Sequence, residues 1–218
     1  MVGRKIFYGG KMMSGMNIDS CIRCGTCCRK GGPVLHYEDK EILRAGYLNY
    51  RHLVTIRKGE PAFDPVREEV RPVERELVKV RGKGGEWTCF FFDEENSSCT
   101  IYEHRPLECR LQRCWDTPVL ESLIGRDTIV RADIINAGDP ILEVMEMHER
   151  ECSYQEVEEL LDSLSGDGKN QQALARLNEL ARRDLAIRLY AIRDLGLDED
   201  YELFIFGRPL FKVLASSL

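Results

Sequence analysis

The stretch CIRCGTCC, from Cys21 to Cys28, places four cysteines within eight residues. Four more lie between residues 89 and 114, and Cys152 is separate from both groups. The spacing is C-x2-C-x2-C-C in the first group and C-x9-C-x9-C-x4-C in the second. Eight thiols in two groups constrain the fold strongly, because such groups are held together either by disulfides or by a bound metal.

The rest of the sequence is that of a globular protein with a core of its own, since 43% of its 218 residues are hydrophobic and 31% are charged. A net charge of -6 argues against a nucleic-acid partner. The chain has neither the apolar stretch of a secretory signal nor a long apolar run, so we predict no membrane segment and a cytoplasmic location. In that compartment clustered cysteines favour metal binding or redox chemistry over a disulfide framework.

The first cysteine group has the spacing of a metal knuckle. Two thiolates separated by two residues can reach one ion at about 2.3 Å, and Gly25 can supply the positive φ that such a turn often requires. A third cysteine at the same interval is typical of runs that bind iron–sulfur clusters. The adjacent Cys27 and Cys28 diverge in most backbone conformations, which indicates separate centres, one non-ligand, or a cluster larger than a single ion.

The predicted ligands are the eight clustered cysteines. The first prediction for the cofactor is an iron–sulfur cluster of the 4Fe–4S type, and the alternative is zinc, for which eight thiolates would make two sites. The aromatic residues Trp87, Phe90, Phe91 and Phe92 would either exclude water from this centre or form plain strand core. We predict that Cys152 is a lone thiol. The ligand set is Cys21, Cys24, Cys27, Cys28, Cys89, Cys99, Cys109 and Cys114.

The patterning predicts an α+β fold. Short helices are expected over residues 36–46, 49–60 and 105–115, and a small antiparallel meander over residues 76–102 would carry Cys89 and Cys99. Helices are expected over residues 139–152, 153–164 and 171–196, the last with Leu174, Leu177, Ala181, Leu185, Ile187, Leu189 and Ile192 as its apolar residues. The prediction is a small irregular cysteine-cluster domain, residues 1–125, with a short antiparallel sheet, and an all-α C-terminal extension, residues 126–218, packed on it.

Two motifs together carry a resemblance to a known family. CIRCGTCC followed by CTIYEHRPLECR resembles the YkgJ family of cysteine-cluster proteins, also called the CxxCxxCC or zinc- or iron-chelating domain. The resemblance covers roughly residues 18–118, and the LQRCW segment after Arg110 departs from the family pattern. It implies a cysteine-bound metal, either an iron–sulfur cluster or zinc. A flagellin lysine N-methylase is similar to this family, but the chain has no glycine-rich S-adenosylmethionine loop at a strand end.

Three further residues are predicted to bind the cofactor. Arg105 and Arg110 flank Cys109 and would compensate the charge of a thiolate centre, the alternative being surface salt bridges. Tyr102 would donate its hydroxyl to a cluster sulfur or simply pack. His36 and His104 are secondary candidates, because eight cysteines suffice.

The predicted function is that of an iron–sulfur protein in electron transfer, or of an accessory to an oxidoreductase or protein-modifying reaction. Its expected partner is a protein redox partner or a protein substrate. One alternative is a zinc-stapled, non-catalytic module for protein interaction, and another is an activity like that of a protein N-methylase. The sequence shows no nucleophile–base pair that would define an independent reaction.

Overall fold

The computed structural model describes residues 7–8, 11–12, 21, 23–113, 115–164 and 170–217. Over these residues the predicted α+β class is confirmed. The strands are β1 (Phe7–Tyr8), β2 (Lys11–Met12), β3 (Leu53–Ile56), β4 (Pro61–Asp64), β5 (Glu69–Pro72), β6 (Leu77–Val80), β7 (Phe92–Asp93) and β8 (Ser98–Cys99). They pair antiparallel as β1–β2, β3–β6, β4–β5 and β7–β8.

Helices dominate the second half of the chain. They are α1 (Thr26–Arg29), α2 (Lys40–Arg44), α3 (Leu107–Leu111), α4 (Pro118–Leu123), α5 (Ile141–Glu151), α6 (Tyr154–Leu164), α7 (Gln171–Arg193), α8 (Glu202–Phe206) and α9 (Leu210–Ser217). The short helices predicted around residues 40 and 107 are confirmed as α2 and α3, and those of the C-terminal part as α5, α6 and α7. In the part of the chain that the structure describes, no helix is both long enough and apolar enough to cross a membrane.

The helix predicted over residues 49–60 is wrong. Only Tyr50–His52 forms a single 3-10 turn, and the chain then continues as β3, which pairs with β6 from Leu53 opposite Val80 to Ile56 opposite Leu77. All four residues of β3 are buried. A strand covered on both faces shows no alternation of polar and apolar residues, so its pattern resembles that of a buried helix.

The predicted meander is only partly confirmed. Cys99 lies on β8, opposite Phe92 of β7, as expected for a hairpin. Cys89, however, pairs only through an isolated bridge with Gly82, and β6 pairs with the earlier strand β3. The two cysteines therefore lie on neighbouring but separate pairings.

The long helix α7 presents a different face to the core from the one predicted. Leu177 and Ile187 are buried as expected, but Leu174, Leu185 and Leu189 are 38%, 39% and 47% exposed. The buried face instead carries two charged residues, Asp184 and Arg188, among Ala173, Leu177, Leu180, Ile187 and Ala191. The prediction from the spacing of apolar residues missed this face, because the charged residues on it are paired inside the protein.

One hydrophobic core joins the two halves of the chain. Val78 and Val80 of β6 and Phe92 of β7 belong to the same buried cluster as Ile187 of α7 and Phe204 of α8. The prediction that the apolar C-terminal tail packs onto the core is confirmed, since residues 204–206 are at most 1% exposed. The helices therefore share a core with the hairpin that carries Cys99.

Buried ion pairs cross this junction. Arg57 follows β3 and Arg131 precedes α5, and both guanidinium groups are at most 2% exposed. The Glu149 carboxylate of α5 accepts from Arg57 Nε at 2.9 Å and from Arg131 Nη2 at 2.6 Å. Burial opposes ionisation of Glu149, but the two guanidinium groups outweigh it and lower the pKa of that carboxyl group. Glu149 thus compensates two buried positive charges.

We expect Glu149→Gln to lower the free energy of unfolding by about 1–2 kcal/mol, because it removes the carboxylate partner of the buried Arg57 guanidinium, although the Glu149 side chain is itself 37% exposed and Arg131 keeps Glu76. Urea unfolding of the metal-loaded protein measures the change. The matched control is Glu146→Gln, which replaces an exposed carboxylate on the same helix and should change stability by less than about 0.5 kcal/mol. Equal effects of the two substitutions would contradict the structural role assigned to Glu149.

Candidate metal centre

The first cysteine group folds as a tight turn that enters a short helix. Gly25 immediately precedes α1 with φ of 72°, as predicted, and Cys27 and Cys28 lie within α1. The backbone N–H of Arg23 donates to the sulfur of Cys21 at 3.4 Å, which is the amide-to-sulfur bond expected of a metal knuckle. Cys21 and Cys27 are exposed, whereas Cys24 and Cys28 are half-buried.

The two cysteine groups meet through backbone and aromatic contacts. The Cys89 N–H donates to the Cys28 carbonyl at 2.8 Å. A Cβ at Gly25 would overlap the buried ring of Phe92, which lies opposite Cys99 on the hairpin. The turn of the first group therefore rests directly on the hairpin of the second, although Cys28 and Cys89 are 61 positions apart in the sequence.

Five of the predicted ligands lie close enough together for the charge of one thiolate to shift the pKa of another. The Cys27 and Cys28 sulfurs are 4.0 Å apart, and the hydrogen bond between them lowers the pKa of Cys27 to about 6. Burial, together with the negative charges of Cys89, Cys27 and Cys99, raises the pKa of Cys109. Burial and the charges of Cys99 and Cys27 likewise raise the pKa of Cys89. Ionising this group of thiols thus requires a positive charge among them, which a metal supplies.

The sulfurs are spaced more widely than a single zinc ion would hold them. Four thiolates on one zinc ion lie about 3.8 Å apart, given a zinc–sulfur distance of about 2.3 Å and tetrahedral geometry. Among the described cysteines, no three sulfurs lie within 4.8 Å of one another. The clustered thiols are chemically suited to bind a metal. Their sulfur–sulfur distances are larger than one four-coordinate ion would require. Cys114 lies outside the described residues.

Arg105 offers an unsatisfied positive group beside these cysteines. Its guanidinium lies 3.7 Å from the ring centroid of Tyr102, and its buried Nε and Nη1 atoms have no hydrogen-bond partner. Burial raises the pKa of Cys99, and the charge of Arg105 acts in the opposite direction. Buried donors without an acceptor are costly, and a thiolate or sulfide would satisfy them.

The other two predicted cofactor-binding residues have protein partners. The Tyr102 ring contacts the guanidinium groups of both Arg105 and Arg23, the latter at 4.8 Å from its centroid. Arg110 forms an ion pair with Glu38 at the surface. Tyr102 therefore orients Arg105, and Arg110 is engaged away from the thiols, which matches the alternative of a surface salt bridge.

A network that sequence reasoning missed anchors the helix carrying Cys109. Glu108 accepts from the Val34 N–H at 2.8 Å and from His36 Nε2 at 3.4 Å. The buried Asp39 accepts from the N–H groups of Leu107 and His36, at 2.8 and 2.9 Å. His36 is therefore a structural residue. His104, the other secondary candidate, is stacked on Tyr47 with the ring centroids 3.5 Å apart.

Lys79 is a basic residue near the second cysteine group that the sequence reasoning missed. It lies on β6, and burial lowers the pKa of its ammonium group, while the charges of Glu108 and Cys89 oppose that shift. A lysine within the apolar strand LVKV was the available signal. Lys79 adds positive charge on the side of the centre where Cys89 lies.

The aromatic residues near the second cysteine group divide into two sets. Phe91 and Phe92 are buried, whereas Trp87 is 61% exposed. Trp87 therefore fits neither predicted alternative, water exclusion or strand core, because the loop before Cys89 places it in solvent. Phe92 shields one side of the first cysteine turn, and the Arg29 guanidinium lies 4.9 Å from its ring centroid.

We expect Gly25→Ala to lower the metal content per chain, because the added Cβ would push the cysteine turn away from Phe92. The matched control is Gly46→Ala. Gly46 also has a positive φ, of 79°, but a Cβ there would meet no atom within 4 Å. Both variants carry a backbone strain of roughly 1 kcal/mol, so only the Gly25 variant should lose metal as well. Equal metal content in the two variants, measured by elemental analysis, would contradict the docking role of Gly25.

Comparison with known proteins points to the same cysteines. The family model CxxCxxCC, described as "Putative zinc- or iron-chelating domain", matches residues 20–132. An uncharacterized protein of Methanocaldococcus jannaschii is 32% identical over 92 residues, which is 42% of each chain. This chain therefore spans less than half the length of that relative. No solved structure matches the chain.

Proposed function

Because the chain belongs to the CxxCxxCC family of zinc- or iron-chelating domains, we propose that its clustered cysteines bind an iron–sulfur cluster of the 4Fe–4S type. The proposed role is electron transfer, or assistance to an oxidoreductase or protein-modifying reaction. The ligands would come from Cys21, Cys24, Cys27, Cys28, Cys89, Cys99, Cys109 and Cys114. When bound, such a cluster accepts and donates electrons one at a time.

The observation that carries this proposal is the sulfur spacing. The described thiols are gathered closely enough to influence each other's ionisation, yet no three of their sulfurs lie within 4.8 Å of one another. A cluster of several irons spans such a gap, whereas one zinc ion would need the sulfurs to move inwards. The adjacent Cys27 and Cys28 favour the same interpretation, since a larger centre accommodates neighbouring ligands more easily.

The surrounding residues would set the net charge of the centre and the side from which a partner protein reaches it. Arg105 would donate its two free N–H groups to the thiolates, and Lys79 would add a buried positive charge near Cys89. Cys21 and Cys27 are exposed, so a protein redox partner would reach the centre from the side of the first cysteine group. Phe92 would exclude water from the opposite side.

Metal and sulfide analysis of protein purified without oxygen tests the identity of the centre. We expect iron and acid-labile sulfide in equal amounts and a brown solution, with both lost in Cys27→Ser. Cys152→Ala, which removes a thiol outside the two groups, should retain them. Zinc without iron or sulfide, even after anaerobic reconstitution, would overturn the proposal in favour of the zinc-stapled module.

We expect Arg105→Met to make the reduction potential of the cluster more negative, on the order of tens of millivolts, because a nearby positive charge stabilises the more negative, reduced state. Potentiometric titration followed by visible absorption measures the shift. Arg110→Met is the matched control, since it removes an arginine from α3 whose partner is Glu38, and its potential should stay unchanged. A larger shift in the Arg110 variant than in the Arg105 variant would contradict the assigned role of Arg105.

A further inference from the structure

A second group of metal-ligating side chains lies in the helical extension. His148 is on α5, Cys152 immediately follows the end of that helix, and Asp184 is on α7. All three residues are 0% exposed. One potential ligand atom from each lies within 4.8 Å of those of the other two. The i, i+4 spacing of His148 and Cys152 brings both to one face of α5, where α7 packs.

The donors in this group have spare binding capacity. The buried Nδ1 atom of His148 has no hydrogen-bond partner. The sulfur of Cys152 has only a distant contact, 4.0 Å from the carbonyl oxygen of Leu180. The tightest contact joins His148 Nε2 to Asp184 Oδ1 at 2.6 Å. An imidazole, a buried thiol and a carboxylate together form a donor set that suits zinc.

We propose that His148, Cys152 and Asp184 form a second, structural metal site for a zinc-class divalent ion, separate from the cysteine centre. On binding, the thiol proton of Cys152 is released to solvent and a metal–thiolate bond forms, while the proton that His148 Nε2 shares with Asp184 moves to the unpartnered Nδ1 atom so that Nε2 can bind the ion. No electron transfer is involved.

The geometry requires small adjustments of the side chains. A tetrahedral ion at about 2.0–2.3 Å from its ligands holds the ligand atoms roughly 3.3–3.8 Å apart. The His148–Asp184 contact would therefore widen by roughly 1 Å and the contacts to Cys152 would shorten. Asp184 would keep its hydrogen bonds from Arg188 Nε and the Leu210 N–H, both at 2.9 Å. Such outer hydrogen bonds are what orient a ligating carboxylate.

The charges nearest the site have partners of opposite sign. Those that act on His148 and Cys152 are the positive Arg57 and Arg188 and the negative Asp184 and Glu151. A divalent ion that displaces one thiol proton adds one positive charge to this set. The repulsion from Arg57 and Arg188 is offset by Glu149 and Glu202, their own partners.

The site would cross-link α5 to α7 inside the extension. Cys152 and Arg57 connect it to the sheet, because Arg57 Nη2 donates to the Cys152 carbonyl at 2.7 Å. An ion at this position would therefore stabilise the junction between the extension and β3. It would do so whatever metal the cysteine centre contains, so this inference does not depend on the proposed function.

Cadmium NMR of the full chain tests the site. Protein purified without oxygen is equilibrated with excess ¹¹³Cd²⁺ in the absence of zinc, and bound cadmium is counted by elemental analysis. We expect the wild type to show one resonance, distinct from those of all-sulfur sites, that Cys152→Ala lacks, together with one cadmium fewer per chain. Cys27→Ser should retain this resonance, which separates this site from the cysteine centre.

Two further variants keep the test decisive. Val144→Ala removes a buried side chain from the same helix without removing a donor, and it should retain the resonance. If Cys152→Ala does not fold, His148→Gln, which keeps the thiol, should show the same loss. An identical set of resonances and an identical cadmium count in the wild type and in the donor variant would overturn the proposal.

Discussion

The docking of the Gly25 turn against the Phe92 ring is the contact on which the cysteine centre depends. It brings together two groups of thiols that the chain separates by about sixty residues, and the hydrogen bond from Cys89 to the Cys28 carbonyl sets their separation. Only glycine fits there, because a Cβ would both overlap the ring and strain a backbone with φ of 72°. The thiols that this contact gathers are difficult to ionise together, and this electrostatic cost makes a bound cation favourable.

A second constraint comes from the buried arginines. Arg57, Arg131 and Arg188 are at most 2% exposed, and each has carboxylate partners. Replacing such a network by apolar residues can be neutral for stability, but removing one partner is costly. These residues therefore fix how α5, α7 and α8 pack beside β3. The same network surrounds His148, Cys152 and Asp184, so the geometry of that group follows from the charges that hold the two halves of the chain together.

The sequence predicted local features well where a short pattern is compatible with only one backbone conformation. The positive φ of Gly25 and the helices α5, α6 and α7 all follow from neighbouring residues. Prediction failed at β3, because a strand buried on both faces has no distinctive periodicity. It also failed on α7, where Leu185 and Leu189 face solvent while Asp184 and Arg188 are buried. Apolar periodicity does not consider charged residues, and only the partners of Asp184 and Arg188 from other elements explain their burial.

The sequence by itself determined that this chain groups its cysteines for metal chelation, because the C-x2-C spacing limits how far apart neighbouring thiols can lie. It also indicated that Arg105 would be near them, since Arg105 and Cys109 are four positions apart. Only the tertiary structure decided that Arg105 has unsatisfied donors while Arg110 pairs with Glu38, and that Cys152 lies beside His148 and Asp184. The physical reason is that these contacts join residues distant in the chain, whose separation depends on packing and buried charge and on no local spacing.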